Sequence, residues 1–211
     1  MNLKYDNEIE ILENWIEKSK KFLQSMAEYV SKTLETEYVL IVRIDGSRAK
    51  TIVFLSFDNI VENIEYDLSG TPCENVADGR YCIYPSNIQN LFPEDKYLVE
   101  MKAQSYAGVP IVDSKNNFIG ILATISQNII LKEELFHCIL KNIAEIISYV
   151  LDLSEVEKKL FNTHEFLRES IKERTLALEE SEKRFRTIVQ NIPVLVDAFK
   201  YDEGFVFWNK E

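Results

Sequence analysis

The chain has 211 residues, 46% of them hydrophobic, which suits one or two domains with a sizeable core. Thirty-five acidic side chains against 24 basic ones give a net charge of -11, so no basic stripe is available to bind nucleic acid or an anionic membrane surface. No apolar run approaches the ~20 residues that span a bilayer, so no membrane span is expected.

The amino-terminal segment MNLKYDNEIEIL has no apolar export-signal core, and the three cysteines, Cys73, Cys82 and Cys138, are odd in number and widely spaced. They read as reduced thiols of a cytoplasmic protein. Residues 1–36 are expected to form a helix. Ile9, Leu12, Ile16, Ser19, Leu23, Met26, Val30 and Thr33 alternate in steps of three and four along one seam, and Trp15 and Phe22 widen its apolar surface. Such a surface suits two contacts, a sheet and a second protomer; a single amphipathic helix packed on one core is the alternative.

Tyr38–Asp45 and Lys50–Phe57 are expected strands joined at Gly46-Ser47-Arg48. Their near-continuous apolar character implies cover on both faces. Ile60–Asp67 reads as a weaker strand or loop. The stretch from Gly70 to Leu122 then sets turn-rich GTPCEN and LFPEDK among short apolar runs, and ends in YAGVPIV and FIGILATI separated by the polar DSKNN, a hairpin signature.

The wording GTPCENV, CIYPSNIQNLFPED and SYAGVPIVDSKNNFIGIL resembles a GAF domain, a small-molecule-sensing module of signalling proteins, over roughly residues 15 to 150. The resemblance implies an α+β fold: a central antiparallel sheet with helices on both faces, flanked by long amino- and carboxy-terminal helices. The domain is placed at residues 37–153, with an exit helix at 131–153. The family's ligand lies between the sheet and the segments matching Thr71–Val76 and Tyr81–Leu91, so Thr71, Cys73, Glu74, Tyr81, Tyr84 and Tyr106 are the candidate ligand-binding residues. The same residues would equally close a ligand-free core.

The exit helix offers two adjacent apolar stripes, one of Leu135, Ile139, Ile143, Ile146 and Val150 and one of Phe136, Leu140, Ile147 and Leu151. Neither Pro nor Gly interrupts the charged stretch that continues to Asn191. Leu153, Val156, Leu160, Thr163, Leu167, Ile171, Arg174, Leu178, Ser181 and Phe185 form its seam, and two consecutive steps of four at Leu167 make a stutter. Residues 154–184 are expected to be a parallel coiled coil in a homodimer held through the flanking helices; a solvated single helix and a disordered linker are the alternatives. The segment IKERTLALEESEKRFR and the strand-like VLVDAFK and FVFWN resemble the connector and opening of a PAS domain, placed at residues 185–211 and incomplete. The chain thus resembles a piece of a longer sensor histidine kinase of a two-component system, with its PAS and kinase partners downstream.

No nucleophile–base constellation or phosphate-binding glycine pattern is present, so no catalytic residue is assigned. The two histidines are His137 and His164. THEFLR departs from the kinase phospho-acceptor box by an inserted Phe166 and the lack of a following Pro. Bilin attachment in GAF relatives goes with a Cys-His pair, and here His137-Cys138 runs in reverse. Haem ligation lacks a pocket histidine, and the Asn-Lys-Phe-Asp-Glu run of cyclic-nucleotide-binding GAF domains has no match. No cofactor or metal is assigned. Cys73 and Cys82 read as small buried hydrophobes or as a redox pair. The expected function is a sensory input module that couples a small molecule or redox state to a helical output. The alternatives are a GAF-like methionine sulfoxide reductase using those cysteines, and a ligand-free dimerisation module.

Overall fold

The computed structural model describes residues 3–191, 197–200 and 204–208, with side-chain surroundings from residue 14 to residue 191. The expected seam residues Ile9 and Leu12, and part of the segment expected to open a PAS domain, lie outside the described side chains. The chain divides into two compact units, Met1–Glu157 and Lys158–Glu211.

In the first unit, helix α1 (Leu3–Leu34) leads into strands β1 (Tyr38–Asp45) and β2 (Arg48–Ser56), then short β3 (Asn59–Ile60) and β4 (Glu65–Asp67). Helix α1 stops at Glu35, whose positive φ of 53° lets the Thr36 amide turn back to the Ser31 carbonyl at 3.1 Å. Helix α2 (Pro72–Ala77), strand β5 (Cys82–Tyr84) and helices α3 (Ile88–Leu91) and α4 (Lys96–Glu100) follow. Strands β6 (Ser105–Val112) and β7 (Phe118–Ser126) form the expected hairpin, and helix α5 (Glu133–Asn191) comes next.

The strands make one seven-stranded antiparallel sheet in the order β3-β2-β1-β7-β6-β5, with β4 also paired to β2. Successive strand residues point to opposite faces. Val39 and Ile41, Val53 and Leu55, and Val109 and Ile111 enter one core with Leu23, Ala27 and Val30 of α1 and Leu140, Ile143 and Ile147 of α5. Tyr38, Leu40 and Val42, Phe54, Tyr106, Ile121 and Ala123 enter a second core with Cys73 and Val76 of α2, Ile88 of α3 and Leu98 of α4. The strands are apolar at nearly every position because both faces are roofed by helices, as the α+β expectation required.

The structure chooses between the two stripes on α5. Phe136, Leu140 and Ile147 are buried, whereas Leu135 and Ile146 of the other stripe are exposed and only Ile143 of it is fully buried. On α1, Ala27 and Leu34 join the buried face, while the seam residues Ile16 and Thr33 are exposed. The second unit comprises the remainder of α5 and an antiparallel pair, β8 (Asp197–Lys200) and β9 (Gly204–Trp208).

Replacing a buried leucine by alanine removes its contacts and leaves a cavity. Leu140→Ala is therefore expected to cost about 2–5 kcal/mol in urea denaturation, and Ile146→Ala less than about 1 kcal/mol because its side chain keeps much of its exposure when folded. Equal losses at the two positions would place the wrong stripe in the core.

Candidate functional site

The second core holds a polar cluster. Thr71 precedes α2 in extended conformation, Pro72 occupies the first turn, and the Thr71 hydroxyl donates to the Leu68 carbonyl at 2.7 Å. This start turns Cys73 toward the sheet. Its sulfur lies 3.3 Å from the Tyr106 hydroxyl, and the Tyr66 hydroxyl donates to it at 3.4 Å. Tyr106 is wholly buried. It lies along its strand over Gly108, where an added Cβ would sit 2.9 Å from the ring carbons Cε1 and Cζ and closer still to the hydroxyl oxygen. Only glycine leaves Tyr106 room to reach the thiol.

Asp95 closes the other side. It caps α4 by accepting from the Tyr97 and Leu98 amides at 3.0 and 3.4 Å. Between these groups lies a cavity of about 20 Å³, lined among others by Thr71, Cys73, Asp95, Tyr97 and Tyr106. That is room for about one water molecule.

Burial sets the protonation of the cluster. It pushes the Cys73 thiol and the Tyr66 and Tyr106 phenols above their ordinary values, and the bonds from the tyrosines to the thiol only partly offset this for Cys73. Burial raises Asp95 as well, against the two amide bonds that favour its carboxylate. The cysteine is thus a neutral thiol rather than a thiolate nucleophile.

The six expected site residues separate into three places. Thr71, Cys73 and Tyr106 line the small cavity. Tyr84 adjoins it, opposite Tyr106 in the β5–β6 register with ring centres 6.2 Å apart, and its hydroxyl accepts from Asn75 at 2.8 Å. Glu74 is exposed and accepts from the Gly70 amide at 3.0 Å. Tyr81 belongs to the opposite side of the sheet, packing against the first core and stacking on His137 of α5 at 4.3 Å. Burial and the nearby Glu133 push its phenol up to about 12. Cys82 borders the second core half-buried, with its sulfur directed to the Arg80 carbonyl at 3.7 Å.

Tyr66, Asp95 and Tyr97 were missing from the sequence-based set. Asp95 carried a legible signal, an acidic residue just before the apolar run KYLV, which marks a helix N-cap. Tyr66 carried none beyond its place in a weak strand.

A GAF domain family model matches residues 20–153. The chain belongs to the GAF domain family. Solved structures share the fold at low identity. The chain is similar to a far-red cyanobacteriochrome photoreceptor (18% identity, TM-score 0.55, covering 74% of this chain and 100% of that one). It is similar also to the GAF domain of an Acinetobacter phosphoenolpyruvate-protein phosphotransferase (12%, 0.54, covering 72% and 97%). A third such structure is a type II free methionine-R-sulfoxide reductase from Thermoplasma acidophilum (16%, 0.52, covering 64% and 94%). No curated protein matches the sequence.

In this GAF domain, α5 is tied to the sheet by polar contacts that run from buried Ser148 to exposed Glu155. The Ser148 hydroxyl donates to the Val112 carbonyl at the end of β6. The Ser114 amide in the β6–β7 loop donates to Asp152 at 3.0 Å, and Arg43 of β1 pairs with Glu155 at 3.3 Å. Ser148, Asp152 and Glu155 follow the i, i+4, i+7 spacing of one helical face. Sequence periodicity of apolar residues gave no sign of this latch, because its members are polar and their partners are remote.

Because the folded thiol titrates above its unfolded value of about 8.5, its contribution to stability is complete below that pH and is lost as pH rises through the folded value. Iodoacetamide at pH 8, read by mass spectrometry, is expected to label exposed Cys138 first, half-buried Cys82 next and Cys73 only on unfolding. Rapid labelling of Cys73 in the folded protein would show that the α2–α4 cover opens freely.

Proposed function

We propose that this GAF domain is the sensory, regulatory input module of a signal-transduction protein. Occupancy of the Cys73–Tyr106 cavity by a small molecule, or a change of redox state there, biases the position of α5. One observation carries the reading: β6 meets the cavity at Tyr106 and the latch at Val112, and the loop that follows it meets the latch at Ser114. Six steps along the strand lead from Tyr106 to Val112, about 20 Å at about 3.3 Å per residue. A ligand larger than one water must part α2 and α4 from the sheet, which displaces Tyr106 and with it the strand that holds Ser148 and the loop that holds Asp152. The α5 helix then has two packings, and the ligand selects between them.

The output lies in the continuation of α5 beyond the latch. Residues 154–184 act as a signalling coiled coil, and residues 185–211 as the opening of a PAS domain, ahead of a downstream kinase region of a two-component sensor histidine kinase. Supporting this, Leu153, Val156, Leu160, Leu167, Ile171, Leu178 and Phe185 of the seam are all exposed in the single chain, an apolar row that suits a second copy. The homodimer forms through both flanking helices. A groove of about 550 Å³ between α1 and α5, lined by Trp15, Phe22, Tyr149 and Leu153, supplies apolar surface in the first unit. A cytoplasmic location goes with this role.

The reductase reading finds little support, because it needs a reactive thiolate and Cys73 is held neutral in the core. A ligand-free dimerisation module remains the competing account.

Size-exclusion chromatography with light scattering is expected to give twice the chain mass at tens of micromolar, and a monomer there would remove the helix-bundle output. Thermal-shift and native mass-spectrometry screens against nucleotides and metabolites are expected to find a compound that raises the melting temperature, since a ligand that binds only the folded form must do so. Dimers that respond to none of them would favour the dimerisation module.

A further inference from the structure

A second cavity, of about 510 Å³, lies on the other side of the sheet from the Cys73 cluster, between α5 and β6. Strand β5 pairs with β6 only from Tyr106 to Gly108, so the outer edge of β6 is uncovered from Val109 onward. Val109, Pro110 and Ala144 provide an apolar floor, and the stacked rings of Tyr81 and His137 close one end. The volume falls within the range of small-molecule sites.

Charge is distributed along this trough in order. His137, Lys141 and Glu145 follow one another at steps of four on α5, a rise of about 6 Å per step. The imidazole of His137 and the amine of Lys141 therefore stand at the Tyr81 end. Glu145 stands beyond them, and Asp113 lines the far end with Ser148 and Tyr149. Bonds from the Asn117 side chain and amide and the Lys115 amide hold Asp113 below the usual carboxylate range, so it is ionised. Lys141 and Glu145 are four residues apart, yet among the described residues neither joins an ion pair. A cation and a carboxylate thus flank one apolar floor, each with donors or acceptors to spare.

We propose that this trough binds a small zwitterion, a free α-amino acid, with its carboxylate toward Lys141 and His137, its ammonium toward Glu145 and Asp113, and its side chain on Val109, Pro110 and Ala144. The site is distinct from the Cys73 cavity and does not depend on it. Tyr149 lines both this trough and the α1–α5 groove, so an occupant touches the helix face beside that groove.

The test is a calorimetric and thermal-shift titration of the full chain with each of the twenty free L-amino acids. For any that binds, its carboxamide, which lacks the carboxylate, and its deaminated acid, which lacks the ammonium, are compared. The expected result is millimolar or tighter binding of at least one amino acid, and at least tenfold weaker binding of both analogues. Lys141→Ala and Glu145→Ala should each weaken it about tenfold or more, and both variants should fold because the replaced side chains are solvent-exposed and alanine favours helix. Amide NMR shifts should cluster at Tyr81, Ala144 and Tyr149. No binding of any amino acid to the folded wild type at about 10 mM, equal binding of either analogue, or shifts confined to Thr71, Cys73 and Tyr106 would each overturn the proposal.

Discussion

The constraint on which the structure depends is that one sheet must serve two cores. Val39 and Ile41 face α1 and α5 while Tyr38, Leu40 and Val42 face α2 to α4, and the same division holds along β2, β6 and β7. An antiparallel sheet commonly leaves one face wet; this one leaves neither. A strand packed on both faces has little freedom to shift on one without shifting on the other, since close-packed interiors transmit strain. Strand β6 touches both the Cys73 cluster, at Tyr106, and the α5 latch, at Val112, which makes it the element on which the proposed coupling rests.

Much of the fold was legible because the relevant signals are local. The hairpin punctuation DSKNN, the strand run Tyr38–Asp45 and the wide apolar arc of the helices need only near neighbours in sequence to be read. The assignment of stripes on α5 was not legible. Both stripes are apolar, and only the position of the sheet decides that Leu140 and Ile147 turn inward while Leu135 and Ile146 turn out. The sequence of α1 likewise shows a seam, but the turn at Glu35 and the sheet beneath set which residues along it are buried.

The site was half legible. Thr71, Cys73 and Tyr106 do meet. Tyr81 was grouped with Tyr84 by resemblance, although residues three apart at the start of a strand point to opposite faces. Strand period alone would have separated them. The polar latch lay beyond reach for another reason: Ser148, Asp152 and Glu155 look like ordinary solvated helix positions until the ends of β6 and β1 are placed beside them. The exposed Arg43–Glu155 pair is worth little by itself, and the interest of the three contacts is where they attach rather than how strongly.

The central claim is that β6 links the Cys73–Tyr106 cluster to α5 as one mechanical element. A double-mutant cycle on unfolding free energy tests it most directly, with Tyr106→Phe removing the hydroxyl beside the thiol and Asp152→Ala removing the acceptor of the Ser114 amide. Independent sites farther than about 7–10 Å apart add to within about 0.3–0.5 kcal/mol. The account predicts a coupling energy above about 0.5 kcal/mol between these two positions, and simple additivity in two folded single variants would contradict it.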